Sequence, residues 1–161
     1  MKLLAYEVDK RSFLGVLNED ETWVYPVSAA GMEYRSMKDL IREAGPSEME
    51  MLDYISKKAP GDVVGAAPVD EIRVVSPIAE PDQDIICLGI NYMDHAEESA
   101  RFEKREFERP EKAIYFSKRV NRTNDPDGII PAHKNLTSQL DYEAELAVII
   151  KKDAKDVKPG E

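Results

Sequence analysis

Two glutamates one residue apart, Glu143 and Glu145, lie in the run Leu140-Asp141-Tyr142-Glu143-Ala144-Glu145-Leu146-Ala147-Val148-Ile149-Ile150. The apolar tail and the length predict a long strand near 140–151, and on a strand residues i and i+2 share a face. Both carboxylates then point the same way, with Asp141 on their side and Tyr142, Ala144 and Leu146 on the other. Two anions so placed repel unless a positive charge stands between them. A hard divalent cation such as Mg²⁺ or Mn²⁺, which prefers carboxylate oxygen, meets that need. The competing reading is a strand whose polar face meets water, and on E-x-E spacing alone it is the commoner case.

A second constellation is Gly89-Ile90-Asn91-Tyr92-Met93-Asp94-His95-Ala96-Glu97-Glu98. A strand ends at Gly89 and a helix follows, so His95 and Glu98 stand at i and i+3 and can touch. A carboxylate beside an imidazole fixes its tautomer and raises its basicity, the arrangement needed to take a proton from water. The alternative is an ordinary surface helix in which Glu98 pairs with any nearby cation. Lys118 ends the apolar run Ala113-Ile114-Tyr115-Phe116, where it could hold a substrate carboxylate or simply meet solvent. His133 is a loop histidine without an evident partner. There is no P-loop, no GxGxxG, no Cys/His zinc spacing and no Gly-x-Ser-x-Gly.

The elements that must position these residues fall into two parts. Residues 2–8, 12–17 and 22–27 predict a small antiparallel meander, broken at Asp9-Lys10-Arg11 and Asn18-Glu19-Asp20. Ser36 with Asp39 predicts a helix start, and that helix stops at Gly45-Pro46. Ser47 with Glu50 predicts a second start, with Met51, Leu52 and Ile55 as the buried stripe. A strand is expected at 71–75 and a domain boundary within 76–83. Beyond it come an apolar strand at 85–90, a helix near 92–102, a strand at 112–118 and a polar loop at 119–128. The charge-dense stretch 97–112 reads as a solvated helix face and loop, or as a mobile segment over a site.

Composition narrows the function classes. The 161 residues carry 22 Lys+Arg against 32 Asp+Glu, a formal net charge of -10. Such a surface repels phosphate backbones and anionic lipid, so nucleic acid and membrane are poor partners. It repels acidic substrates too, and a carboxylate substrate needs a metal ion or local Lys and Arg to reverse the field. Apolar residues make up 42%, enough for a packed core. The lone Cys87 lies in an apolar run and reads as a buried small hydrophobe, and its solitude fits a reducing cytoplasm. The first ten residues turn acidic too soon for a signal peptide, and no apolar stretch approaches the ~20 residues of a membrane span.

Taken in order, IICLGINYMDHAEES, AIYFSK and IIPAHKNLTSQLDYEAELAVIIKKDAKDV resemble the fumarylacetoacetate hydrolase family from about Ile85 onward. The NYxDHxxE and DYExEL elements are specific when they occur together. The first 75 or so residues are similar to the small N-terminal domain that many bacterial members carry. The resemblance implies an α+β protein: a small N-terminal strand-and-helix domain over 1–77, then over 78–161 the start of a mixed β-roll catalytic domain, incomplete. It implies Glu143 and Glu145 as ligands of Mg²⁺ or Mn²⁺, His95 and Glu98 as a water-activating dyad, and Lys118, Asn91 and Tyr92 in the substrate pocket. Asp94 is a further possible ligand. Arg119 stands where many members have proline. The third metal carboxylate, an aspartate, is expected beyond Glu161, so the chain reads as the front part of a longer enzyme that pairs as a homodimer when complete. The implied activity is metal-dependent cleavage of a C–C bond in a small 2-oxo acid of the acylpyruvate or fumarylpyruvate kind. Two alternatives accompany it. One is isomerisation, decarboxylation or hydration of an unsaturated 2-oxo-dioic acid on the same scaffold. The other is a non-catalytic binding module.

Overall fold

The protein is α+β. Its structure, a computed structural model, describes residues 1–89, 91–93, 97, 101 and 112–160. Strands β1 (Leu3–Val8) and β2 (Arg11–Leu17) form a hairpin in register Val8↔Arg11. The two-residue connection puts Asp9 at φ 50° and Lys10 at φ 63°, the left-handed pair that matches the right-handed twist of the strands. Strand β3 (Trp23–Pro26) pairs with β2 after a turn organised by Asn18, whose side-chain oxygen accepts the Thr22 and Trp23 N–H groups at 2.9 Å each. A 3-10 turn at Val27–Ala30 follows and ends on Gly31 in the left-handed region.

Helix α1 (Met37–Glu43) begins as expected: the Ser36 hydroxyl accepts the Asp39 N–H at 3.1 Å, satisfying one orphan donor of the first turn. Helix α2 (Pro46–Ser56) is capped at Gly45, two residues before the predicted cap Ser47. Pro46 occupies the first turn, where its missing N–H costs nothing, and the Glu48 carboxylate reaches back to the Gly45 N–H at 3.1 Å. The predicted buried stripe is corrected too. Leu52 and Ile55 are buried, but Met51 is 44% exposed.

The short elements that escaped the sequence reading are the 3-10 turns at Val27–Ala30, Pro60–Asp62 and Val69–Glu71 and strand β4 (Ala67–Pro68), which pairs with β3. Strand β5 (Arg73–Val75) returns along β1, so the sheet order is β4-β3-β2-β1-β5, antiparallel throughout. Alternation along the strands sends Val16 and Tyr25 to one face, against Met37, Leu40, Leu52 and Ile55. It sends Leu4, Tyr6 and Val24 to the other. Each such side chain contributes roughly 1.5–3 kcal/mol by leaving water. Gly15 permits the second packing. A Cβ there would stand 2.4 Å from Val24 Cγ2 and 2.9 Å from the Tyr6 ring, so only a residue without a side chain lets them close over β2.

Tyr25 ties the helices to the sheet. It is fully buried, and its hydroxyl donates to the Lys58 carbonyl at 2.7 Å. Burial first, then the charges of Asp20 and Asp62, raise its pKa. A phenol whose folded pKa lies above its unfolded value stabilises the fold fully below the unfolded pKa, near 10, and that contribution is lost as pH rises through the folded value. We therefore expect Tyr25→Phe to cost about 1 kcal/mol near neutral pH, from the unpaired Lys58 carbonyl. It should also flatten the alkaline limb of stability, measured as urea midpoint against pH from about 8 to 11. A mutant limb as steep as the wild type would show that Tyr25 is not the titrating group.

By contact grouping the chain divides into two compact units, Met1–Ile78 with Asn124–Glu161, and Ala79–Thr123. Within the second, strands β6 (Ile85–Leu88) and β7 (Tyr115–Lys118) pair antiparallel, Ile85 opposite Lys118 and Leu88 opposite Tyr115. Cys87 is half-buried, not the buried hydrophobe its apolar neighbours suggest. The largest correction falls on 140–151. Residues 140–150 form no strand, and Leu146, Val148 and Ile150 are exposed. A strand exists only through ladder hydrogen bonds to a neighbour, and among the described residues no other segment pairs with this one.

Candidate active site

Lys118 is the last residue of β7. It is exposed, and its ammonium lies 5.7 Å from the centroid of the Phe116 ring two residues back on the same face, a cation–π distance. The ladder that fixes it continues past β6, where the Gly89 N–H donates to the Ile114 carbonyl at 2.8 Å. Asn91 and Tyr92 follow directly after that ladder and are exposed, Tyr92 by 48%. Met93, Glu97 and Arg101 are helical. Arg101 Nε donates to the Glu97 carbonyl at 3.3 Å, and the guanidinium stands 3.9 Å from the Glu97 carboxylate. His95 and Glu98, the expected dyad, and Asp94 lie outside the described residues.

Glu143 and Glu145 belong to the other unit and are both exposed. Their shared face was expected from strand geometry, which the segment does not have. Just before them, the Asp141 carboxylate accepts the Tyr142 N–H at 2.8 Å, a local turn-like bond that competes with a ladder. As donors the two glutamates suit Mg²⁺ or Mn²⁺: they are hard oxygen ligands committed to no hydrogen bond or ion pair among the described residues. Among the described residues, no group of three His, Cys, Asp or Glu stands close enough to hold a metal ion. A metal site built on this pair would need further ligands. His133 is exposed and serves through its backbone, its carbonyl accepting the Leu136 and Thr137 N–H groups at 2.7 and 3.1 Å.

A cluster absent from the sequence reading joins β1, β5 and the turn at 124–128. Arg73 on β5 reaches the Glu7 carboxylate at 2.7 Å and the Asp125 carboxylate at 2.5 Å. Its pKa is raised by the hydrogen bond to Glu7 first and by the charge of Asp125 next. A cleft of about 510 Å³ opens beside it, lined by Ile72, Arg73, Asp125 and Gly128 among others. None of the expected site residues lines this cleft. Sequence separations of 66 and 52 residues put the two ion pairs beyond any local pattern.

No helix among the described residues is long and apolar enough to cross a membrane. Residues 84–161 match the profile of the fumarylacetoacetate (FAA) hydrolase C-terminal domain. Oxaloacetate tautomerase YisK of Bacillus subtilis (strain 168) is 32% identical over 162 residues, covering 94% of this chain and 52% of that protein. Uncharacterized proteins of Staphylococcus epidermidis (SERP0556) and Staphylococcus aureus strain USA300 (SAUSA300_0871) are each 27% identical, over 99% and 98% of this chain and 54% and 53% of their own lengths. The chain thus spans about half the length of the curated relatives it matches. The profile match covers both the NYxDHxxE and the DYExEL elements, and through residues 84–161 the chain belongs to the fumarylacetoacetate hydrolase family.

Proposed function

We propose that the protein is a divalent-cation-dependent enzyme of 2-oxo acids, and that its first activity is keto–enol tautomerisation of a small 2-oxo dioic acid. The observation that carries this reading is the likeness over 94% of the chain to a protein named as an oxaloacetate tautomerase. It reverses the order implied by the family resemblance in the sequence, which puts C–C hydrolysis ahead of isomerisation. Glu143 and Glu145 would hold the cation, with further ligands completing the set. The chemistry such a cation supplies is polarisation of the 2-oxo carbonyl and stabilisation of negative charge on its oxygen. Lys118, exposed at the end of β7, would meet a substrate carboxylate and offset the repulsion of a chain with formal charge -10. Asn91 and Tyr92, at the end of the β6 ladder, offer an amide and a hydroxyl to orient the same substrate. The lone Cys87 accords with a cytoplasmic setting, and pairing of two copies belongs to the same proposal.

The second reading is hydrolysis of an acylpyruvate, favoured by the His95/Glu98 spacing. Here His95, oriented by Glu98, takes a proton from water that attacks the distal carbonyl. The two readings separate on one assay. The full protein, with Mg²⁺ or Mn²⁺, is given enol-form oxaloacetate, followed by loss of enol absorbance, and separately an acylpyruvate, followed by release of the carboxylic acid. Tautomerisation that is abolished by chelator and restored by the metal supports the first reading. Acid release that His95→Ala lowers by about 100-fold or more, within the range of one general base, supports the second. Neither activity at any metal concentration would sink both.

A further inference from the structure

We infer that Phe116 is a positioning residue for Lys118: its ring draws the lysine ammonium back along β7 and holds it there with its charge unneutralised. This rests on the reading of Lys118 as the contact for a substrate carboxylate. The register of the hairpin decides which side chains share a face. Ile85 stands opposite Lys118 and Cys87 opposite Phe116, and the Gly89 N–H carries the ladder on to the Ile114 carbonyl at 2.8 Å. Opposed residues of an antiparallel pair point to the same side, and so do residues two apart on one strand. One face therefore holds Ile85, Cys87, Phe116 and Lys118. Lys118 ends that face away from Asn91 and Tyr92, which follow Gly89 at the other end. Between the Lys118 level and Gly89 lie four ladder positions, about 13 Å of strand. A small 2-oxo acid does not span that distance, so Lys118 shares a substrate with Asn91 and Tyr92 only if its side chain runs back along the strand.

The ring contact turns it that way. The Lys118 ammonium lies 5.7 Å from the centroid of the Phe116 ring, and Phe116 stands two residues nearer the Gly89 end, up to about 7 Å of strand. The kind of contact matters as much as its direction. In a chain with 32 Asp+Glu against 22 Lys+Arg, a lysine readily finds a carboxylate. Lys2 and Lys57 do so, pairing with Glu21 at 2.5 Å and with Asp53 at 2.6 Å. Such a pair cancels the charge that a substrate carboxylate would meet. Among the described residues Lys118 makes no hydrogen bond or ion pair. An aromatic face attracts the ammonium through its quadrupole and leaves the full positive charge in place. Phe116 is itself 45% exposed, so the ring biases the lysine toward one direction and does not clamp it. A cation–π contact at such a site is a matter of a few-fold in population.

The test uses Phe116→Leu, Phe116→Tyr and Lys118→Met in the full protein, read by magnetic resonance and by kinetics. Reductive methylation with isotope-labelled formaldehyde keeps each lysine charged and places methyl probes on its nitrogen, and an aromatic face moves such protons upfield. The resonance that disappears in Lys118→Met should be displaced upfield in the wild type. That displacement should be lost in Phe116→Leu and kept in Phe116→Tyr. Lys58, 4.7 Å from the Tyr54 ring centroid, should keep its own displacement throughout and serves as the internal control. KM for enol-form oxaloacetate should rise about two- to fivefold in Phe116→Leu, the scale of an exposed cation–π contact, with kcat and the melting temperature nearly constant. Phe116→Tyr should restore KM, since it returns the ring. A Lys118 resonance at the ordinary lysine position in the wild type overturns the contact. A lost displacement with unmoved KM overturns the positioning role, and so does a KM rise that Phe116→Tyr does not rescue. If Lys118→Met leaves KM unchanged, the substrate reading of Lys118 has failed and takes the positioning role with it, whereas the methyl resonance still decides whether the ring holds the ammonium.

Discussion

On the proposed function, Glu143→Gln combined with Glu145→Gln in the full protein should lower kcat/KM for a 2-oxo acid substrate by about 1,000-fold or more, roughly 4 kcal/mol of transition-state stabilisation. Glutamine keeps the length and shape of glutamate and one carbonyl oxygen. What it removes is the negative charge, and charge decides the affinity of a hard divalent cation for oxygen ligands. Because both side chains are exposed and make no hydrogen bond or ion pair among the described residues, the exchange leaves folding alone, within about 0.5 kcal/mol. That separation makes the prediction sharp. Calorimetric titration with Mn²⁺ should show binding lost or weakened by orders of magnitude while the thermal transition stays in place. A double mutant that retains metal affinity and turnover would mean that the E-x-E face is a wetted surface, the commoner reading on spacing alone. Excess Mn²⁺ should restore part of the activity of each single mutant but not of the double, since one remaining carboxylate still gives the ion a foothold.

How legible this protein was in its sequence depended on the range over which each signal acts. The β1–β3 meander and the Ser36 cap are local: a two-residue turn, an asparagine loop and a hydroxyl three residues from its N–H. The start of α2 was misplaced because two cap patterns overlap, Gly45 with Glu48 and Ser47 with Glu50, and only the first is used. Pro46 in the first turn was the signal that could have decided it. Strand β4 is two residues long and exists only because β3 runs beside it. Periodicity at 140–151 says which residues share a face once a partner is present, but no partner lies in the local sequence. Glu143 and Glu145 were therefore recognisable by type and spacing, while their geometry was not. The Glu7–Arg73–Asp125 cluster needs a sheet and a turn to be folded before its members meet. The family, by contrast, was legible at once, because motif residues carry it without any coordinates.

The correction to the α2 stripe yields the second large effect. Leu52 is 0% exposed and packs with Val16, Tyr25, Leu40 and Ile55, whereas its neighbour Met51 is 44% exposed. Leu52→Ala removes three carbons from a core that cannot close fully over the gap, so transfer and cavity terms add to about 2–5 kcal/mol. For the unit made of Met1–Ile78 and Asn124–Glu161, with ~6–17 kcal/mol in hand at about 0.05–0.15 kcal/mol per residue, that is a large share of the total. The thermal midpoint should fall by roughly 10–25 °C, and urea unfolding should shift its midpoint with an unchanged slope. Met51→Ala, one residue earlier on the same helix, should move stability by less than about 0.5 kcal/mol, because its side chain already meets water. The pair tests the orientation of α2 directly. Comparable losses at 51 and 52 would restore the stripe expected from sequence and turn the helix relative to the sheet. A small loss at 52 alone would mean that the face shared by β2, β3 and α2 is not the centre of the core.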